Sequence, residues 1–266
     1  MVLIAILFGT MAAGIGSVWL AALLSFGALA RYTQHMLSLA AGALLGTAFL
    51  HLLPEAFESQ ASAHNLFATL LVGLVFFFLL DKAELWHHGH EHHAAEREGQ
   101  DADHDHAPHE QRHDPKSGGW AVLAGDSVHA FGDGILIASA FIADMRLGFV
   151  AALAVLVHEV PHHMGDLIVL RRQSANNRRI AIVKVSLAGA VTALGGVIGY
   201  ALVDQLYGYL PFFLIIAASS FMYVALADLI PQLQKRASLQ ETAAQIAWLA
   251  IGIGLVMLVS WAAHAD

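Results

Sequence analysis

Apolar positions along this chain run in blocks too long for a soluble core. Eight of them, roughly 2–24, 35–57, 64–86, 120–143, 147–170, 180–203, 210–232 and 242–264, are mostly apolar over about twenty residues. A helix rises ~1.5 Å per residue and the hydrocarbon layer is ~30 Å thick, so each block is long enough to cross it. Polar residues gather between the blocks, and the connections are short except 87–119. The first block has no basic leader and is too long for a cleaved signal, so it reads as a retained helix. The pattern predicts an all-α integral membrane protein with eight transmembrane helices. Its parts are helices 1–3 (1–86), a loop (87–119) and helices 4–8 (120–266).

Composition agrees and adds an orientation. Of 266 residues, 58% are hydrophobic and 13% charged, against about a quarter charged in a soluble domain. Residues 81–116 hold 14 of the 34 charged side chains. The remainder cannot clothe a soluble enzyme, and a net charge of -8 leaves no basic surplus for nucleic acid. With no cysteine there are no disulfides and no thiolate metal sites. If both termini lie outside, 12 of the 13 basic residues fall in inner loops and only Arg146 lies outside. The positive-inside bias therefore places the termini outside and the long loop in the cytoplasm.

Histidine changes the picture most. Nine of 17 lie in the long loop: His87, His88, His90, His92, His93, His104, His106, His109 and His113. Residues 87–114 are poor in core formers and rich in charge, and read as disordered. Imidazoles and carboxylates without fixed geometry suit weak, exchangeable capture of divalent transition metals.

The membrane blocks also carry ionisable groups, where each costs at least ~2.5–3.5 kcal/mol to insert. Helix 4 contains Asp126, His129 and Asp133; helix 5 reads His158-Glu159-Val160-Pro161-His162-His163-Met164-Gly165-Asp166. His129 and Asp133 are four apart, as are His158 and His162, so each pair shares a helix face. Counted from the inner ends, His129 and Asp133 lie ~14 and ~20 Å deep, His162 and His158 ~12 and ~18 Å. The two pairs meet near mid-membrane. Three imidazoles and a carboxylate there suit Zn²⁺ and accept Fe²⁺, Mn²⁺ or Cd²⁺. Glu159 stands at the edge of the cluster. Pro161 frees the carbonyl of Val157, which at this depth has to line a polar cavity or find another partner. Gly132 and Gly134 let a neighbouring backbone approach helix 4. The competing account, helix-to-helix hydrogen bonding, explains single histidines but not the set.

His158-Glu159-Val160-Pro161-His162 also fits the H-E-x-x-H pattern of zinc proteases, which makes an intramembrane metalloprotease the rival reading. A proline inside the motif, an Asp133-Gly134 pair that precedes it, and an idle histidine loop all count against that. A metal-sensing membrane receptor or storage protein is a third class.

These residues resemble the ZIP (Zrt-, Irt-like protein) family of metal transporters, over nearly the whole chain. Helix 5 is similar to the His-Glu-x-Pro-His-Glu-x-Gly-Asp signature of one subfamily, and Asp126 to Gly134 to its Asp-x-x-His-Asn-x-x-Asp-Gly. His51-Leu52-Leu53-Pro54-Glu55 and the run from Tyr223 to Pro231 also match family patterns. The resemblance implies that His129, Asp133, His158 and His162 are primary ligands and that Glu159 belongs to an adjoining second site. Ala130 stands where the family has Asn, and Thr192 where some members have a glutamate ligand, so that second site lacks two donors. His163 replaces a glutamate and either compensates as a ligand or faces another helix.

Two motifs, His51 to Glu55 and Asp228-Leu229-Ile230-Pro231-Gln232, share a polar-apolar-apolar-Pro-polar order near opposite membrane faces. That order fits either an inverted repeat of helices 1–3 and 6–8 around helices 4–5 or two coincidental proline kinks, and its placement agrees with the first. The expected function is uptake of a divalent metal as substrate, Zn²⁺ first, from the periplasm or outside into the cytoplasm. Asp126 and Asp166, on the cytoplasmic side of the site, would receive the ion. The resemblance further implies helices 1, 4, 5 and 6 moving against 2, 3, 7 and 8, in a homodimer within the lipid bilayer of a bacterial inner (plasma) membrane.

Overall fold

The computed structural model describes residues 1–25, 33–97, 117–173, 177–233 and 238–262. Eight helices within them are long and apolar enough to cross a membrane: α1 (Val2–Leu24), α2 (Gln34–Phe57), α3 (Ala63–Leu80), α4 (Asp126–Ala143), α5 (Met145–Leu167), α6 (Arg178–Val203), α7 (Tyr207–Leu233) and α8 (Leu239–Ala262). These match the eight apolar blocks in order. Helix α3 continues unbroken to Arg97, and the helix containing α4 begins at Ser117. Of the stretch 87–114 read as disordered, 87–97 lie on this helix and 98–114 lie outside the described residues. The stretch His90-Glu91-His92-His93-Ala94-Ala95-Glu96-Arg97 contains no glycine or proline and several good helix formers, so the helix propagates through it. His104, His106, His109 and His113 lie outside the described residues.

Local chemistry sets several boundaries. Asp144 alone separates α4 from α5, and its Oδ1 accepts from the backbone N–H groups of Arg146 (2.8 Å) and Leu147 (3.2 Å), capping α5. Asn177 caps α6 through the N–H groups of Arg179 and Ile180. Ser238 and Glu241 form a reciprocal capping box on α8.

The helices pack as two groups. In one, α1, α4, α5 and α6 all touch one another; in the other, α2 packs on α7 and α8, and α3 on α7. The groups meet where α5 lies on α2 and α4 lies on α7. At this junction sits the main core, with Leu44, Leu52, Ile137, Phe141, Val155, Ile215 and Phe221 fully or almost fully buried. Within its membrane window α5 is 72% buried, against 11% for α3 and α8, so α5 is the central helix and those two are peripheral.

Exchanging α1 with α6, α2 with α7, α3 with α8 and α4 with α5 maps these contacts onto one another: α2–α8 onto α7–α3, α1–α4 onto α6–α5, α2–α5 onto α7–α4. The irregularities obey the same exchange. Helices α2 and α7 widen into π-helical turns at Ala48–Leu52 and Val224–Leu229, each ending two residues before Pro54 or Pro231. The residue before each proline reaches back five positions, Leu53 N–H to the Ala48 carbonyl and Ile230 N–H to that of Ala225. The wide turn absorbs the N–H that proline lacks. Helix α1 has a π-turn at Ala12–Gly16, and α6 breaks at Ala190 between Gly189 and Val191. These two defects touch: a Cβ on Gly189 would lie 2.7 Å from the Gly14 oxygen. The packing has the symmetry that the repeated motifs predict.

Candidate metal site

The one-residue turn at Asp144 folds α4 back on α5 and brings their polar faces together. His129 Nε2, Asp133 Oδ2, His158 Nε2 and Glu159 Oε1 converge on one point. His129 Nε2 lies 3.4 Å from His158 Nε2, 3.8 Å from Asp133 Oδ2 and 3.5 Å from Glu159 Oε1. His158 Nε2 lies 3.4 Å from Asp133 Oδ2 and 3.0 Å from Glu159 Oε1. A tetrahedron around an ion with bonds of ~2.0–2.1 Å has edges of ~3.3–3.4 Å. These five separations bracket that edge. Asp133, His158 and Glu159 are buried, whereas the His129 side chain is 31% exposed, so the quartet opens on its His129 side.

Backbone chemistry orients one nitrogen. His158 Nδ1 lies 3.3 Å from the Ala154 carbonyl. A carbonyl only accepts, so Nδ1 carries the proton and a neutral His158 turns the Nε2 lone pair on the other three donors. Lone pair facing lone pair is favourable only with a cation between them.

A second group of donors adjoins the first. His163 Nε2 lies 3.2 Å from Glu159 Oε2 and 3.8 Å from Asp126 Oδ1. Asp166 is half-buried further along α5 and joins neither cluster.

His162 is where structure and expectation differ. Its ring centroid is 6.0 Å from those of His129 and His158, which are 5.7 Å apart, so the three imidazoles do surround one point. Its Nε2, however, lies 3.0 Å from Asp228 Oδ2 on α7, and Asp228 also accepts from Gln232 Nε2 at 2.9 Å. The quartet is completed by Glu159 instead. Spacing places His162 on the correct face but carries no information about a carboxylate on another helix.

Two further details depart from expectation. Gly134 does admit a backbone: the Thr192 carbonyl and Gly196 N occupy the space of its absent side chain. Gly132 does not, since a Cβ there meets nothing within 4 Å. Thr192 is buried, with its hydroxyl against Gly14, so the helix 6 position that the resemblance gives to a ligand is filled by packing. Ser17 on α1, which no sequence pattern singles out, lies 3.0 Å from His163 Nδ1.

A multi-pass membrane protein with a His/Asp/Glu quartet buried between its central helices belongs among the proteins that handle divalent metals. Sequence comparison narrows that class. Residues 1–260 match the ZIP zinc transporter family, and the chain belongs to it. It is 28% identical to the zinc transporter ZIP13 of Danio rerio, over 85% of this chain and 76% of that protein. Identity to the ZIP13 of Pongo abelii is also 28%, over 86% of this chain and 67% of that protein. The zinc transporter zipt-7.2 of Caenorhabditis elegans is 33% identical over 52% of this chain, which spans only 30% of it. These relatives are animal proteins and lend no support to a bacterial inner membrane.

Proposed function

We propose that this chain carries Zn²⁺ as its substrate across a membrane, from the outer face to the cytoplasm, through the quartet of His129, Asp133, His158 and Glu159. Family membership supports divalent-metal transport, and the near-tetrahedral spacing of four buried donors supports the site. Two imidazole nitrogens and two carboxylate oxygens suit Zn²⁺ and accept Cd²⁺, Fe²⁺ or Mn²⁺. They replace the hydration shell of an ion that apolar surroundings would otherwise exclude. The division into α1/α4/α5/α6 and α2/α3/α7/α8 supports one group moving against the other around the site. A homodimer completes the reading.

The protease alternative loses ground on geometry. A zincin needs both histidines of H-E-x-x-H on one ion and its glutamate free to act on water. Here the Nε2 of His162 faces Asp228, and Glu159 Oε1 converges with the other three donors. The geometry therefore supports transport over proteolysis at this motif.

The test is flux of Zn²⁺, Cd²⁺, Fe²⁺ and Mn²⁺ into liposomes containing the purified protein, beside a casein proteolysis control. Metal entering without casein cleavage is expected, and His158→Ala should abolish it while the protein stays folded. Binding without flux would leave a receptor, and uptake unchanged by His158→Ala would sink the site.

A further inference from the structure

We propose that Asp126, Glu159 and His163 form a second divalent-cation position, joined to the quartet through Glu159. The inference rests on reading the quartet as a metal site and extends it. The three donors lie within 4.8 Å of one another, and Glu159 is divided between the clusters, Oε1 in the quartet and Oε2 against His163. Asp126 is three residues before His129 on α4, and His163 four residues after Glu159 on α5. The helices run in opposite directions from the Asp144 turn, so both steps lead the same way, about one helical turn from the quartet.

His163 supplies the independent observation. It is fully buried, and its Nε2 makes no hydrogen bond of good geometry with any described residue, nor does Asp126 Oδ2. Ser17 sets its tautomer. The Ser17 hydroxyl donates its one proton to the Gly14 carbonyl at 2.7 Å, so it accepts from His163 Nδ1 at 3.0 Å. A neutral His163 then points an unprotonated Nε2 at two carboxylates. Among the described residues, the ion-pairing partners of Asp126, Asp133 and Glu159 are histidines.

This position is not the second site that the family resemblance implies. There Ala130 and Thr192 stand in place of donors, and Thr192 is held in packing against Gly14 and Gly134. The new position uses the histidine that replaces a glutamate of the signature. One nitrogen and two oxygens make it a weaker holder of Zn²⁺ than the quartet and a more tolerant one toward Mn²⁺ and Fe²⁺. It provides a next stop for an ion leaving Glu159 Oε1.

The test uses the full chain, purified in detergent, stripped with chelator and titrated with Zn²⁺ and separately Mn²⁺. Metal per chain is read by mass spectrometry, and binding by the loop histidines cancels between wild type and variants. His163→Gln and Asp126→Asn should each lose one ion per chain. Ser17→Ala should keep that ion with about 10- to 100-fold weaker affinity, as for loss of a group orienting a ligand. Tryptophan fluorescence and gel-filtration elution identify any variant that fails to fold, in which case Ser17→Ala decides. Wild-type stoichiometry and affinity in the folded variants would overturn the proposal. If wild type transports Zn²⁺ while His163→Gln keeps every ion, the second position falls and the proposed function stands. If His163→Gln loses one ion but wild type moves no metal, the second position stands and the proposed function falls.

Discussion

Gly134 and Gly132 lie two residues apart on α4, and the structure assigns alanine opposite effects at them. At Gly134 the new methyl would sit 2.6 Å from Gly196 N and 2.9 Å from Gly195 C, and closer still to the Thr192 carbonyl oxygen. All three are backbone atoms of α6 and cannot swing aside as side chains do. Carbon contacts settle at ~3.5–4.0 Å, so α4 and α6 must part by roughly an ångström. Overpacking costs about 1–3 kcal/mol, here about 2–3 because the atoms met are backbone, and the better helix propensity of alanine returns about 1 kcal/mol. A net loss of about 1–2 kcal/mol is expected for Gly134→Ala. At Gly132 a Cβ meets nothing within 4 Å, so only the propensity gain remains. Thermal unfolding in detergent, followed by fluorescence-detected gel filtration, should show Gly134→Ala melting about 2–8 °C lower than wild type and Gly132→Ala level with it or higher. Equal melting of Gly134→Ala and wild type would refute the close approach of α4 to α6.

Two further outcomes follow from the site and the loop. His162→Ala and Asp228→Asn should leave Zn²⁺ affinity at the quartet unchanged and alter flux by about fivefold or less, the scale of a half-exposed ion pair worth up to ~1 kcal/mol. Isothermal titration beside liposome flux measures the split, and loss of quartet binding in His162→Ala would put that ring back among the ligands. Deleting 87–114 should weaken the response of transport to cytoplasmic metal more than transport itself; complete loss of flux would place the histidine loop in the pathway.

The eight helices are legible because lipid demands one thing of every span, about twenty apolar residues, and the chain meets that demand in eight places. The metal-bearing pair is legible because a buried charge has to be explained, and α4 and α5 hold most of them. Boundaries are less so. Hydrophobicity falls away near 86, yet the third helix runs to Arg97, because hydrogen bonding continues in water wherever the residues favour a helix. The part played by Gly132 is hidden for a related reason. Sequence shows where space exists on a helix, but not whether a neighbour enters it.

The convergence of Glu159 Oε1, and not His162 Nε2, with the other three donors shows where periodicity stops informing. Four-residue spacing fixes which face a ring leaves from, and the three ring centroids are nearly equidistant, 5.7 to 6.0 Å apart. Where the nitrogen of His162 points is set on a helix 66 residues further on (228 less 162), where a π-turn ahead of Pro231 carries Asp228. His162 belongs to the group that holds the quartet, Asp228 to the other, so their 3.0 Å contact is a tie between the two groups beside the site. An ion that drew His162 into its shell would have to take it from Asp228. Site and group contact thus share one imidazole, which is the kind of link through which occupancy can bias the arrangement of the helices.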